Sequence, residues 1–234
     1  MKFDSKMSPI LICGCHGGGT SYTTKLLRWQ GVFAGADTTC SMFERATHES
    51  KCFQIANETM LQTVLTDCPV GLRTSELSWF QKWEQKISSD SMLETLKSHI
   101  DIDLLFPKYF GDKKTIDIDG NWGWKDPRNS LTLPIWKTIF PELRVLVVVK
   151  EHVEEKLGKS SSGSWFKSKS TEYVRQKYMQ PNVAGVKPEN VFYFKFDLAL
   201  KELNVFNEMR RWLSLSDLSQ DEFTALLEKT RYDN

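Results

Sequence analysis

The segment Pro9-Ile-Leu-Ile-Cys-Gly14-Cys-His-Gly-Gly-Gly19-Thr-Ser21 decides the fold that this sequence predicts. The apolar residues 10–12 are typical of a buried strand, and the residues from Thr20 to about Gln30 are typical of a helix. A glycine-rich turn between a strand and a helix directs several backbone N–H groups, and the positive end of the helix dipole, at one point. The segment therefore predicts an anion site, most often one for a phosphate.

The spacing of this loop fits the phosphate-binding pattern G-x-x-x-x-G-K-[ST] except at the lysine. Gly14 and Gly19 are the two glycines, and Thr20 replaces the lysine before Ser21. The loop keeps its backbone amides and two hydroxyls, but it lacks the cation that neutralises the β- and γ-phosphates of ATP. Such a loop suits a less heavily charged anion. The alternative, a glycine-rich turn that binds nothing, is disfavoured because strand, loop, hydroxyls and helix occur in the required order.

Length and charge restrict the class of protein. A chain of 234 residues can form one α/β domain with a substantial core, and we expect a single domain over residues 1–234. The formal net charge of +1 favours neither a nucleic acid nor an anionic membrane as partner. The chain begins without an apolar leader, and no apolar stretch reaches the ~18 residues of a membrane span. We therefore expect a cytoplasmic protein.

The cysteines argue against a metal site. The chain has five of them, with no zinc-ligand spacing, and an odd number leaves one unpaired. They are expected to be free thiols in a reducing compartment. The pair Cys13-x-Cys15 is explained more simply as a strand end beside the anion loop than as a metal ligand set.

Glu49, Phe53, Asn57 and Leu61 recur at a spacing of four, which predicts one face of a helix over residues 49–65. Glu49 would lie in the first turn of that helix. A glutamate there is either a favourable charge at the helix N-terminus or a functional carboxylate. The sequence leaves both interpretations open.

Aromatic residues and capping patterns mark further helices. Trp79, Phe80 and Trp83 recur at helical spacing and form either a core stripe, which is the commoner case, or a platform for a sugar or aryl acceptor. Ser91-x-x-Glu94 and Ser219-x-x-Glu222 are capping-box patterns, each predicting the start of a helix.

The strongest strand signal is the β-branched run of residues 144–150, which is typical of a sheet centre. Residues 191–197 predict the last strand, and amphipathic helices follow it. The alternation of strands and helices predicts an α/β three-layer sandwich with a central parallel sheet, as in P-loop NTPases. In such sheets ligands lie beyond the carboxyl ends of the strands.

The block Trp122-Gly-Trp-Lys125-Asp126-Pro-Arg128 places two cations at such a strand end. Lys125 and Arg128 are expected to face the same crevice as the glycine loop. The alternative is a solvated Lys125 and an Arg128 that pairs with Asp126.

Three segments resemble the bacterial type of sulfotransferases that use 3′-phosphoadenosine 5′-phosphosulfate (PAPS). Residues 14–21 are similar to the phosphosulfate-binding loop G-x-H-R-S-G-T-S of that family, with glycines at 17 and 18 where arginine and serine are usual. The pattern E-x-x-x-F-x-x-x-N from Glu49 resembles the second block. The most specific match is W-K-D-P-R, residues 124–128, followed by L-P-x-W-x-x-x-F-P-x-x-R-V. Where the family continues R-x-P-x-x-x-x-x-S, whose arginine and serine hold the 3′-phosphate of PAPS, this chain has Lys150, His152 and Gly158.

The resemblance implies a sulfotransferase fold and transfer of a sulfuryl group from PAPS to a hydroxyl or amine. The acceptor would be a small molecule, a carbohydrate or a peptide, and no metal would be needed. In this interpretation Lys125 contacts the sulfuryl group, and Glu49 is the general base with His48 as the alternative. The co-substrate would be held by the following residues: His16, Gly17, Gly18, Gly19, Thr20, Ser21, Arg128, Lys150 and Ser160.

Two other hypotheses remain open from the sequence. The loop spacing, with Asp197 at the end of an apolar strand as a magnesium ligand, favours a P-loop kinase or NTPase, although the missing lysine counts against it. The departures at positions 17, 18, 150 and 158 favour a non-catalytic member of the fold that binds a nucleotide or nothing.

Overall fold

A computed structural model of the chain describes residues 8–15, 17–35, 38–40, 46–64, 77–101, 105, 107, 109, 121–151 and 180–232. Its strands are β1 (Ile10–Gly14), β2 (Thr38–Cys40), β3 (Ala46–Ser50), β4 (Gly123–Lys125), β5 (Arg144–Val149) and β6 (Val191–Lys195). They form one sheet in the order β2-β3-β4-β1-β5-β6. The five strands from β3 to β6 in this order are parallel, and β2 is antiparallel to β3 at one edge. The predicted α/β class with a central parallel sheet is confirmed.

The helices in the described ranges cover both faces of this sheet. They are α1 (Thr20–Trp29), α2 (Lys51–Val64), α3 (Leu77–Ile87), α4 (Asp90–Ser98), α5 (Asn129–Ile139), α6 (Phe196–Ala199), α7 (Leu203–Trp212) and α8 (Gln220–Tyr232), with a 3₁₀ turn at Pro188–Asn190. None of them is long and apolar enough to cross a bilayer.

Side chains that alternate along β1 divide the core in two, because successive residues of a strand point to opposite faces. Leu11 and Cys13 pack with the aromatic side chains of α2, β4 and α5. Ile10 and Ile12 pack with α1, α6 and α7 on the other face. The sheet is thus the middle one of three layers, as the pattern of strands and helices predicts.

The first core is built around stacked aromatic rings. Phe53 lies on Trp124 with ring centroids 4.0 Å apart, and Trp136 meets Trp124 edge-on at 4.9 Å. Trp83 is fully buried, and its indole N–H donates to the carbonyl oxygen of Leu131 at 3.3 Å. For Trp83 this supports the core interpretation over the acceptor platform; the side chains of Trp79 and Phe80 lie outside those described.

Of the two predicted capping boxes, the one at the start of α8 forms and the one at the start of α4 does not. At α8 the backbone N–H of Ser219 donates to Glu222 at 2.8 Å, and the N–H of Glu222 donates back to the Ser219 hydroxyl at 3.4 Å. The backbone hydrogen bond from Ser219 lowers the pKa of Glu222. At α4 a helix begins as predicted, at Asp90, but its N-cap is Ser89 and Ser91 lies inside the helix, so the predicted capping residue was wrong.

The cysteines with described side chains agree with the prediction of free thiols. Cys13, Cys15 and Cys52 are buried and form no disulfide. Burial raises the pKa of the Cys13 thiol, although a hydrogen bond with Ser130 opposes that effect. These thiols are expected to be unreactive.

Candidate functional site

The glycine loop connects the end of β1 with the N-terminus of α1. The Gly18 N–H donates to the Cys15 carbonyl oxygen at 2.9 Å, which closes a tight turn, and the Thr23 N–H makes the first helical bond, to Gly19. Gly19 is the N-cap and contributes no side-chain acceptor. Among the described residues, the amides of Thr20, Ser21 and Tyr22 therefore have no protein acceptor. Such a helix N-terminus favours an anion.

Lys125 and Glu49 form an ion pair at the ends of two neighbouring strands. The Lys125 Nζ lies 2.6 Å from Glu49 Oε1. Their side chains are only 3% and 14% exposed, so the pair is largely removed from water. Glu49 of β3 is in register with Lys125 of β4, which is in register with Ile12 of β1. Residues in register on parallel strands share a face, so the pair lies on the face that α1 covers.

Glu49 belongs to a strand and not, as predicted, to the first turn of a helix. β3 continues through Ser50, and α2 begins at Lys51. Phe53, Asn57 and Leu61 do lie buried on one face of α2, as their spacing predicts. The four-residue spacing extends to Glu49 only by coincidence, because pairing with β4 fixes that residue in the sheet. The Gln54 side-chain amide reaches Glu49 Oε2 at 3.5 Å.

Arg128 is paired with two carboxylates. Its Nε and its backbone N–H each lie 2.8 Å from Asp126 Oδ1, and its guanidinium also contacts Glu58. Burial lowers the pKa of Arg128, but the charges of Asp126 and Glu58 outweigh burial, so the net effect raises the pKa. This geometry supports the alternative in which Arg128 pairs with Asp126. The carboxylates hold the turn that follows Lys125, and contact with the anion stays a prediction.

A buried polar network joins α2 to α5 beneath this turn. Asn57 Oδ1 accepts hydrogen bonds from Thr132 Oγ1 at 2.7 Å and from Trp136 Nε1 at 2.8 Å, and Asn57 Nδ2 donates to Asn129 Oδ1 at 2.9 Å. Asn129 Nδ2 donates in turn to the Ile12 carbonyl oxygen in β1 at 3.0 Å. The network ties the two helices to the strand that begins the glycine loop.

Replacing Asn57 with leucine is expected to lower the free energy of unfolding by about 3 kcal/mol, because the buried indole N–H of Trp136 loses its acceptor, at a cost of about 1–3 kcal/mol, and Thr132 and Asn129 each lose one hydrogen bond of the network. Urea unfolding measures this change. Gln62→Leu, on the exposed side of the same helix, is the matched control and is expected to change stability by less than about 0.5 kcal/mol. Equal losses in the two variants would contradict the role of the network.

On the other side of β1, Lys150 follows the end of β5. Its Nζ lies over the ring of Phe196, 4.5 Å from the ring centroid. Phe196 begins α6, directly after β6, and its ring packs against the backbone of Gly19. Lys150 and Gly19 thus contact the same ring, and binding of the co-substrate by Lys150 stays a prediction. Phe196 is a residue that the sequence did not indicate, because its contacts join segments far apart in the chain.

Several predicted site residues are not among the groups described above. His16 and Ser160 lie outside the described residues, as does the side chain of His48, so their roles stay predictions. Asp197, the candidate magnesium ligand, accepts a hydrogen bond from the backbone N–H of Glu151 at 3.1 Å. Nowhere in the described ranges do three or more metal-ligating side chains come together.

A cavity of about 420 Å³ lies between α3, α4 and α5. Its apolar lining comes from Ile87, Leu93 and Pro134, among others, and Ser130 also lines it. The Ser130 hydroxyl accepts the backbone N–H of Gly14 at 3.2 Å. One wall of the cavity is therefore joined to the start of the glycine loop.

No protein-family model and no curated protein matches this chain. Among solved structures, the chain is similar to the crystal structure of sulfotransferase STF9 from Mycobacterium avium, with 12% sequence identity and a TM-score of 0.44. The alignment covers 98% of this chain and 69% of that chain.

Proposed function

We propose that this protein is a sulfotransferase that moves a sulfuryl group from PAPS to a hydroxyl or amine of an acceptor. The observation that carries the proposal is the Lys125–Glu49 ion pair, at 2.6 Å, one strand away from the glycine loop. A cation that stabilises a leaving group and a carboxylate that accepts a proton are the two groups that this transfer needs side by side. Both face the helix whose N-terminus is suited to the anion.

The glycine loop would bind the 5′-phosphosulfate. The amides of Thr20, Ser21 and Tyr22 point toward the N-terminal end of α1, and the hydroxyls of Thr20 and Ser21 add further donors. A sulfuryl group carries less charge than a γ-phosphoryl group, so the reaction needs no divalent metal and no cation from within the loop itself. This fits the replacement of the loop lysine by Thr20.

Lys125 and Glu49 would perform the transfer together. The acceptor oxygen attacks sulfur and gives its proton to Glu49, while the bond between sulfur and the bridging oxygen breaks. The electron pair of that bond leaves with adenosine 3′,5′-bisphosphate. The Lys125 ammonium has three N–H donors, so it can keep its bond to Glu49 and still donate to the bridging or sulfuryl oxygens as negative charge develops.

We also propose that residues 1–234 form a single domain and that the protein acts in the cytoplasm. The acceptor would be a small molecule, a carbohydrate or a peptide. Glu49 is preferred to His48 as the base because the structure shows its carboxylate against Lys125. The geometry of Asp197 gives the kinase alternative no particular support, since its carboxylate accepts the Glu151 amide.

A ligand titration tests the proposal. Adenosine 3′,5′-bisphosphate is expected to raise the melting temperature without any metal, with a stabilisation of about 2.7 kcal/mol at a concentration of 100 Kd. ATP with Mg²⁺ is expected to have a smaller effect. Stabilisation by ATP–Mg²⁺ alone would support a kinase or NTPase instead. Binding of the bisphosphate with no sulfuryl transfer across a broad acceptor screen would support the non-catalytic alternative.

A further inference from the structure

The glycine loop lacks the side-chain cation that phosphate-binding loops of the same spacing carry. Thr20 stands where phosphate-binding loops of this spacing have lysine, and Gly17 and Gly18 carry no side chain. Lys125, on one side of β1, already donates to Glu49. An anion bound at the loop would gain from a second cation on the other side of β1, where β5 ends.

Lys150 occupies that position. Val148 of β5 is in register with Gly14 of β1, and Leu146 and Val148 both pack in the core that includes α1. Lys150 is the next residue with the same parity, and its contact with Phe196 confirms that it lies on the same face. Its ammonium therefore lies on the face where α1 begins.

The ring of Phe196 links this ammonium to the loop. A Cβ built on Gly19 would lie 2.6 Å from Cδ2 and Cε2 of that ring, and the Lys150 Nζ lies 4.5 Å from the centroid of the same ring. Phe196 is only 6% exposed, and Tyr22 meets it edge-on at a centroid distance of 5.8 Å. Gly19 and Lys150 thus both contact the ring of Phe196.

We infer that Lys150 neutralises the anion held by the glycine loop, in the place of the lysine that the loop lacks. This assignment rests on the proposed function but differs from what the family resemblance implies, which is contact with the 3′-phosphate of PAPS. Phe196 acts as a positioning residue that keeps the ammonium beside Gly19. We therefore expect Lys150 to contribute to the binding of any ligand that carries a 5′-phosphate or a 5′-phosphosulfate.

Two nucleotides distinguish contact of Lys150 with the 5′-phosphate from contact with the 3′-phosphate. Adenosine 5′-monophosphate carries only the phosphate that the loop would bind, whereas adenosine 3′,5′-bisphosphate carries both. Lys150→Met is expected to weaken binding of the two nucleotides by the same factor, roughly ten- to a hundredfold, because one charged hydrogen bond to the shared phosphate is lost. Isothermal titration calorimetry without metal measures both dissociation constants. A loss confined to the bisphosphate would overturn the assignment and leave the proposed function intact.

Lys195→Met is the matched control. Lys195 is in register with Val149, ends the neighbouring strand β6 and is exposed, so this variant removes one charge close to Lys150. Its affinities are expected to match those of the wild type, and an equal loss there would overturn the assignment. Wild-type protein that binds only the bisphosphate would also overturn it. Wild-type protein that binds neither nucleotide would overturn the proposed function as well. Should Lys150→Met fail to fold, Lys150→Gln gives the same comparison.

Discussion

Replacing Lys125 with methionine is expected to lower the rate of sulfuryl transfer by about 10²–10³-fold, the usual cost of removing one preorganised donor from a developing negative charge. Methionine has nearly the length of lysine and fills the same buried space, so the change removes the ammonium with little change in packing. Binding of the bisphosphate product is expected to stay close to that of the wild type, because the loop amides and not Lys125 hold the 5′-phosphate.

The variant also removes the ammonium that faces Glu49, and removing one member of a buried ion pair costs about 3–5 kcal/mol when the other charge stays buried. Glu49 is 14% exposed, so the loss of stability is expected at or below the lower end of that range. The double variant Lys125→Met with Glu49→Gln removes both charges and is expected to recover most of the stability and none of the activity. Urea unfolding and transfer of labelled sulfate from PAPS measure the two effects separately.

Undiminished transfer by Lys125→Met, with normal binding of the bisphosphate, would show that Lys125 does not act in the transition state.

Glu49→Gln alone tests the proposed general base. It is expected to lower the rate by about 10²–10⁴-fold, the range for a lost general base. If Glu49→Gln keeps its activity, His48 becomes the candidate base.

Local patterns account for the parts of the site that the sequence predicts. β1, the glycine turn and α1 are contiguous, so their apolar run, their glycines and the helical residues after Thr20 identify them without knowledge of the fold. The position of Lys125 at a strand end also follows from the short segment around it. These are features in which neighbours in the chain are neighbours in space.

The parts that the sequence could not give depend on contacts between distant segments. Glu49 continues a helical spacing, but strand pairing with Lys125 decides its conformation, and pairing is invisible in a local window. Arg128 also pairs with Glu58 in another helix, a contact that the local sequence around Arg128 does not indicate. Phe196 gave no signal at all, because a phenylalanine at the end of an apolar strand is an ordinary core residue until its contact with Gly19 is seen.

Gly19→Ala is expected to abolish binding of the bisphosphate and to destabilise the protein more than any ordinary glycine substitution. Gly19 has φ of 88°, a left-handed conformation that costs a non-glycine residue about 1–3 kcal/mol. An added methyl group would also lie 2.6 Å from the ring of Phe196, so either the loop or the ring has to move. Movement of the loop would misdirect the amides of α1 that are proposed to bind the phosphate. Calorimetry and urea unfolding measure the two losses.

Gly31→Ala separates the two causes, because Gly31 has nearly the same φ, 86°, and no atom within 4 Å of an added Cβ. It lies just after the other end of α1, so it carries the conformational cost without the collision. Gly31→Ala is therefore expected to lose about 1–3 kcal/mol of stability and to bind the bisphosphate normally. The additional loss in Gly19→Ala measures the contact with Phe196, and Phe196→Leu in the same chain should reduce it. Normal nucleotide binding by Gly19→Ala would contradict this prediction and would mean either that the ring of Phe196 moves instead of the loop or that the anion binds elsewhere.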